Sequence, residues 1–450
     1  MFLIIKLIKY LMLLLIGIYT YYSFNVFRYK SKKLQDKAYR VLTAIIFVLH
    51  FTGYFALYFQ TEDVRLVVLY AEEVLLFLLI LIVYKIIYPK LSKLLLRNML
   101  MLLTVGFIVL TRLSYDMAAK QVVIAALSFL VCSFIPFAMK SFSWLVKFGW
   151  IYGLLGITLL LTVLVVGTAS NGATNWIDIG GISIQPSELV KLLFVMSIAA
   201  LFQEGTDFKR VCIISVLAGA HVLVLVASND LGGALIFFVT YIFILYAATS
   251  NVIYLLSGFA GGCMAAVIAY QVFDHVKVRV MAWQDPFSYI DKQGYQITQS
   301  LFAIGTGGWF GMGLNQGLPT DIPVVESDFI FSAISEELGG LFALCILLIY
   351  ISCFIMLINI ALEQEETFYR LIALGFSVMF GFQIILCIGG VIKFIPSTGV
   401  TLPLISQGGS SIFATILMFM ILQGVSMRDK RQKKETQIPK FASREKGIGY

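Results

Sequence analysis

The sequence of 450 residues is poor in charge: Asp, Glu, Lys and Arg together make up 13% of it, about half the share of a soluble domain. A soluble enzyme is thereby excluded. No polar linker longer than a loop interrupts the apolar blocks before the last one, so a length sufficient for about three soluble domains reads as one membrane-embedded bundle. Only three histidines occur, His50, His221 and His275, isolated from one another and from any nucleophile spaced as in a triad. The six cysteines (Cys132, Cys212, Cys263, Cys345, Cys353 and Cys387) all fall in apolar spans and form no CxxC pair. No disulfide framework or zinc site is readable, and each reads as a small packing residue. No small-residue cleavage site follows the apolar start, since Tyr19 to Phe24 does not supply one; the first span is expected to be a retained helix. No internal repeat is evident, which weakens a transporter reading.

Sixty per cent of the chain is hydrophobic, and a helix crossing a bilayer needs about 20 apolar residues. Thirteen spans meet that need: 8–27, 41–60, 65–88, 95–111, 119–139, 148–168, 188–203, 211–228, 231–249, 252–272, 329–359, 369–392 and 404–425. The expected fold is an all-α, polytopic membrane helix bundle. The surplus of Lys and Arg, 33 against 25 acidic residues, collects in loops that alternate on one side. Residues 28–40 hold Arg28, Lys30, Lys32, Lys33, Lys37 and Arg40 against Asp36, and the tail from Met427 holds eight basic residues against Asp429, Glu435 and Glu445. This is the positive-inside pattern, so that side is expected to be cytoplasmic and the N-terminus outside. No aromatic residues interleave with the basic clusters, as a base-stacking surface would require, so nucleic acid is not expected as a partner. Two loops are expected outside, 169–187 and a long acidic one from Phe273 to Asp328, the latter before the eleventh helix.

Charges inside a bilayer are costly and mark functional candidates. In QPSELVK, residues 185–191, Gln185 and Pro186 precede a helix whose Glu188 and Lys191 face each other at i,i+3. They form either a structural ion pair at a helix start or a pair lining an outward-facing cavity. In ESDFIFSAISEELGG, residues 326–340, a helix beginning near Asp328 would carry Ser332 and Glu336 on the same stripe. A negatively charged first turn explains Asp328, but not Glu336 and Glu337 two turns deeper. In IPSTGVTLPLISQGGSS, residues 395–411, Pro396, Gly399, Pro403, Gly408 and Gly409 interrupt the helix at membrane depth. Such a break is tolerated when buried in protein or lining a wet cavity, or it reflects close helix packing. Arg279 and Lys277, beside Trp283, either anchor a helix end or aim an Arg fork at a pyrophosphate. The glycines crowded into 305–317 offer a backbone able to approach a phosphate, but no strand precedes them and no Gly-Lys-Ser/Thr follows.

Taken together and in this order, QPSELVKL, SNDLGGA, GYQITQSLFAIGTGGWFGMGL, ESDFIFSAISEELG and TGVTLPLISQGGSS resemble the shape, elongation, division and sporulation family typified by RodA and FtsW. The resemblance covers roughly residues 95–427. It implies a ten-helix core at 93–427, with an additional three-helix segment at 1–92 and a basic cytoplasmic tail at 428–450. It implies a peptidoglycan glycosyltransferase that polymerises lipid II beside a class B penicillin-binding protein. In that reading Asp328 is the catalytic base. Glu188, Lys191 and Arg279, with Gln185, Glu336, Ser406, Gly408, Gly409 and Ser410, form the substrate-binding set. The chain departs from the family pattern ahead of Trp176, where the usual arginines are missing, at Asn229, where Pro is usual, and at Gln407, where Tyr is usual. A base for the sugar hydroxyl and cations for the pyrophosphate are what this transfer needs. A divalent cation held by acidic loop residues is compatible with it, although no ligand set is fixed. Two other readings use the same features: a lipid flippase, and a noncatalytic scaffold for a partner enzyme. Clustering of the charges near one leaflet speaks against the first, and the deep Glu188 and Glu336 against the second.

Overall fold

A computed structural model of the chain describes residues 2–170, 173–179 and 182–435; the basic tail expected from 428 falls largely outside them. Its helices are α1 (Phe2–Arg28), α2 (Lys32–Thr61), α3 (Arg65–Ile87), α4 (Lys93–Leu113), α5 (Tyr115–Cys132), α6 (Ile135–Ser141), α7 (Gly149–Val166), α8 (Pro186–Gln203), α9 (Phe208–Ala227), α10 (Leu231–Thr249) and α11 (Val252–Val272). They continue with α12 (Asp274–Gln284), α13 (Tyr295–Gly307), α14 (Ile330–Glu337), α15 (Gly340–Leu362), α16 (Thr367–Val391) and α17 (Gly409–Glu435). Among the described residues thirteen segments are long and apolar enough to cross a membrane, matching the sequence reading. The helix closes every backbone hydrogen bond within one segment, and hydrocarbon demands that closure. Side chains finish the ends: Ser114, Asp207, Asp230 and Asn251 each accept a first-turn amide of α5, α9, α10 and α11. Helices α4, α8, α16 and α17 bury most of their spans, whereas α11 buries none of its own. The first set is the centre of the bundle.

The structure departs from the sequence reading at three places. Segment 169–187 is not a plain loop: strands β1 (Thr168–Ser170), β2 (Ala173–Ile179) and β3 (Ile182–Ile184) pair antiparallel in sequence order and rest on α7 and α8. The long segment after α11 is partly helical, holding α12 and α13. The eleventh span is broken, because α14 ends at Glu337 and α15 starts at Gly340. Gly339 sits at φ 94, and a Cβ on it would lie 2.4 Å from the Gly311 nitrogen. The break exists because a strap formed by residues 308–318 runs against it. Gly340 and Leu341 amides donate to the Gly308 and Trp309 carbonyls at 2.9 and 3.1 Å, and Met312 and Gly313 amides to the Glu336 and Glu337 carbonyls at 2.9 and 2.8 Å. This contact accounts for two of the glycines crowded there, since a Cβ on Gly307 or Gly311 would strike the backbone of α14. Gly307 and Gly311 serve backbone packing, and the phosphate-loop expectation for 305–317 is set aside.

The interrupted stretch before α17 is irregular from 392 to 408, as its Pro and Gly content requires. Its freed backbone groups are met by side chains from the surrounding helices. Gln383 donates to the Thr401 carbonyl (3.1 Å), Tyr350 to that of Pro403 (2.6 Å) and Gln121 to that of Ser406 (2.8 Å), while the Gly408 amide donates back to Gln121 (3.2 Å). Trp283 donates to the Lys393 carbonyl at 3.1 Å. Gln121 thus holds two backbone groups at once. Because an orphaned buried group costs about 1–3 kcal/mol, Gln121→Leu is expected to lower the thermal midpoint in detergent by clearly more than Lys209→Ala on the exposed end of α9. Equal midpoints would show that the loop is held by other contacts.

Candidate active site

Asp328 stands two residues ahead of α14, on a turn closed by its own amide and that of Ser327 donating to the Val324 carbonyl. The helix starts at Ile330 rather than near Asp328, so the expected stripe does not form. Ser332 turns to Ser300 of α13 (Oγ–Oγ 2.7 Å). The Glu336 carboxylate accepts the Leu318 amide at 3.1 Å and faces the strap, with its second oxygen unpartnered. Glu337 accepts Arg112 at 2.8 Å and the amides of Asn315 and Gly317. The two glutamates therefore hold the strap while Asp328 looks the other way.

Asp328 faces the irregular loop. Gly399, at φ +72, leaves bare backbone there, and a Cβ on it would lie 3.5 Å from Oδ2 of Asp328. Ser406 fastens loop to turn, receiving the Leu402 amide (2.9 Å) on its hydroxyl and donating to the Ser327 carbonyl. The Gln407 amide donates to the Glu326 carbonyl at 2.8 Å. On the far side of the loop, Gly232 at the start of α10 is so close to Thr398 and Val400 that a Cβ would meet them at 2.8 and 2.6 Å. Asp230, which caps α10 through the Gly233 amide (2.8 Å) and receives the Asn175 side chain from β2, is thereby brought to the same place.

Arg279 of α12 is within electrostatic reach of both Asp328 and Asp230. Beyond Asp230 come Glu188 and Lys191, which act on its carboxyl. Lys191 Nζ binds Glu188 Oε1 at 2.8 Å and Gln383 Oε1 at 3.0 Å. The set alternates in sign, with Asp328, Asp230 and Glu188 against Arg279 and Lys191, so that each cation is shared by carboxylates that would otherwise lose hydration uncompensated. Burial pushes the Asp328 carboxyl above its ordinary value, opposed by the Ser327 hydroxyl and Arg279. Burial also raises Asp230, against the pull of the Gly233 amide, and lowers Arg279, against the pull of Asp328 and Asp230. A carboxylate raised in this way is a better proton acceptor than a solvated one.

The other expected residues take supporting positions. The Gln185 amide donates to the Ser410 hydroxyl at 2.9 Å, tying the start of α8 to that of α17. Gly408 precedes α17 and is held by Gln121, and Gly409 begins the helix, packed on Ile124. Glu188, Lys191, Gln383 and Pro403 line a cavity of about 20 Å³, room for one water. A larger depression of about 370 Å³, between Ile87, Tyr88, Phe134 and Lys140, shares no residue with the charged set. Lys277 is spent on exposed Asp274. Among the described residues no three His, Cys, Asp or Glu side chains converge as metal ligands. The residue that sequence reasoning missed is Asp230. It reads as an ordinary helix cap, and only the approach of the 392–408 loop makes it part of a site. Asn229, where the family has Pro, sits at φ 61, a left-handed conformation that Asn tolerates and the fixed ring of Pro forbids.

Residues 90–431 match the model of a cell cycle protein family named for FtsW, RodA and SpoVE. The peptidoglycan glycosyltransferase RodA of Mycobacterium bovis is 35% identical over 65% of this chain, and the chain spans 66% of that relative's length. A probable peptidoglycan glycosyltransferase FtsW from Pseudoalteromonas translucida is 33% identical over 73% of this chain and 87% of its own. Stage V sporulation protein E of Bacillus subtilis is 34% identical over 60% and 76%. Among solved structures, a chain from work on polymerization and crosslinking by a peptidoglycan synthase complex superposes with a TM-score of 0.66 at 25% identity, covering 76% of this chain and 98% of its own. The rod shape determining protein RodA of Thermus thermophilus superposes with a TM-score of 0.56 at 25% identity, covering 76% and 98%. This chain, a multi-pass bundle with 13 membrane-length segments among the described residues, belongs to the FtsW, RodA and SpoVE family.

Proposed function

We propose that the chain is a peptidoglycan glycosyltransferase of the bacterial cytoplasmic membrane, polymerising lipid II beside a class B penicillin-binding protein. The observation that carries this reading is the carboxylate of Asp328 beside the bare backbone at Gly399, its pKa raised by burial, with Arg279 in electrostatic reach of both it and Asp230. Asp328 accepts the proton of the incoming sugar hydroxyl as that oxygen bonds to the anomeric carbon of the growing strand. The bond to undecaprenyl pyrophosphate breaks, and its electron pair leaves with the pyrophosphate. Arg279 supplies a planar cationic fork to the departing charge. Lys191, buried and already bonded to Glu188 and Gln383, supports the site through Asp230 and the loop. Both substrates carry polar heads on membrane-anchored tails, so a site at the ends of helices suits them.

Purified protein in liposomes with lipid II and its partner is expected to yield glycan strands on a gel. Movement of lipid II across the bilayer without strands would instead establish the flippase reading.

The reading also fixes the sidedness: Asp328 outside, the N-terminus outside and the C-terminus cytoplasmic, as the alternation of Lys- and Arg-rich loops requires. In a cysteine-free background, a cysteine at Glu62 is expected to react with an impermeant maleimide on intact cells, and one at Gln35 only after permeabilisation. The reverse pattern would overturn this topology.

A further inference from the structure

Helices α1, α2 and α3 precede the family match, which begins at residue 90, yet they do not merely lean on the bundle. Two polar side chains from them reach the strap at 308–318. Lys9 Nζ donates to the Gly311 carbonyl at 2.9 Å, and Gln60 Nε2 to the Leu314 carbonyl at 2.9 Å. Gln316 in turn donates to Gln60 Oε1. Tyr10 sets its ring edge against Phe310, 5.9 Å between centroids, and Ile5 packs over Gly313.

The opposite edge of the strap is bonded to α14 through the carbonyls and carboxylates of Glu336 and Glu337. A third tie arrives from within the bundle. Buried Glu73 of α3 receives the Tyr54 hydroxyl at 2.6 Å and contacts His50 at 2.6 Å, and Tyr54 meets Thr111 at 2.9 Å. Thr111 adjoins Arg112, which binds both Glu337 and the Gly317 carbonyl.

We propose that Lys9 and Gln60 are positioning residues for the transferase reaction: they fix the conformation of the strap, the strap fixes α14, and α14 fixes Asp328 at its head. Both acceptors are main-chain carbonyls, so the bonds depend on the path of the strap and not on its side chains. Each bond forms only while the strap presents Gly311 or Leu314 to its donor, so the two together select one strap path. Helix α14 has eight residues, about 12 Å of rigid rod, and conveys a shift at Glu337 to the turn that bears Asp328. This inference rests on Asp328 as the base.

The test uses the full chain in liposomes with lipid II. Lys9→Met combined with Gln60→Ala is expected to lower kcat about tenfold, the scale of a sub-ångström misplacement of a reacting group, with KM and thermal midpoint unchanged. Lys9→Arg, which retains a donor of similar reach, is expected to keep wild-type kcat. Hydrogen exchange supplies a readout independent of activity: amides of 311–318 and of 328–337 should lose protection together in the double variant. Unchanged kcat overturns the proposal, and so does a kcat loss matched by a fall in midpoint, which would mean that the contacts only hold the bundle together. Faster exchange in the strap alone also overturns it. Should Asp328→Asn remain active, the base reading fails by itself, and joint loosening of strap and α14 still decides whether the brace exists.

Discussion

Replacing Asp328 by Asn is expected to reduce glycan polymerisation by at least about 100-fold, the lower range of what a general base contributes, with protein level and partner association retained. Asn keeps the size of the side chain and its place beside Gly399, so the loop should stay in place, but it cannot take up a proton. The pH profile offers a second check on the same group. The base works only when ionised, so activity falls as pH drops through its pKa. Burial sets that pKa above the ordinary carboxylate value, and the acid limb should therefore lie above the roughly 3.9 of a solvated Asp. Arg279 pulls the other way by favouring the charged form. Arg279→Gln is expected to move the acid limb to still higher pH besides lowering the rate. An acid limb unmoved by Arg279→Gln would mean that the group being titrated is not Asp328, and wild-type polymerisation by Asp328→Asn would remove it from the chemistry altogether.

The parts of this molecule that were readable in the sequence are those whose physics is local. Spans follow from the length of apolar runs, the pairing of Glu188 with Lys191 follows from helical spacing, and the irregular stretch at 392–408 follows from Pro396, Gly399 and Pro403. What escaped depends on partners far away in the chain. Gly339 looks like one more small residue in an apolar helix until the strap some thirty positions earlier is laid against it, and the glycines of that strap imitate a phosphate loop for the same reason. Asp230 carries the signature of a helix cap and indeed caps α10; nothing near it in sequence announces Arg279 or the 392–408 loop. The first three helices show the same limit: Lys9 and Gln60 are unremarkable positions in apolar spans, and their acceptors lie more than 250 residues further on.

The second large effect is expected at Lys191. Its ammonium is buried between Glu188 and Gln383, and Gln383 also holds the Thr401 carbonyl of the loop that faces Asp328. Lys191→Met fills the space but leaves a buried carboxylate without its counter-charge, which costs about 3–5 kcal/mol when one partner of a buried pair is removed. Part of that strain can be relieved by moving Gln383, and then the loop loses a tether as well. The variant should therefore unfold at a much lower temperature and polymerise little. The double variant Glu188→Gln with Lys191→Met removes both charges, so the desolvation cost disappears along with the attraction, and most of the lost stability should return. Activity should return less completely, because Gln383 no longer has the Lys191 ammonium to hold it beside the Thr401 carbonyl of the loop. Thermal midpoints in detergent decide the structural half of the argument. If Lys191→Met melts where Lys209→Ala does, the pair carries no burden in the fold; if the double variant is no more stable than the single, the loss at Lys191 is one of packing and not of an unpaired charge.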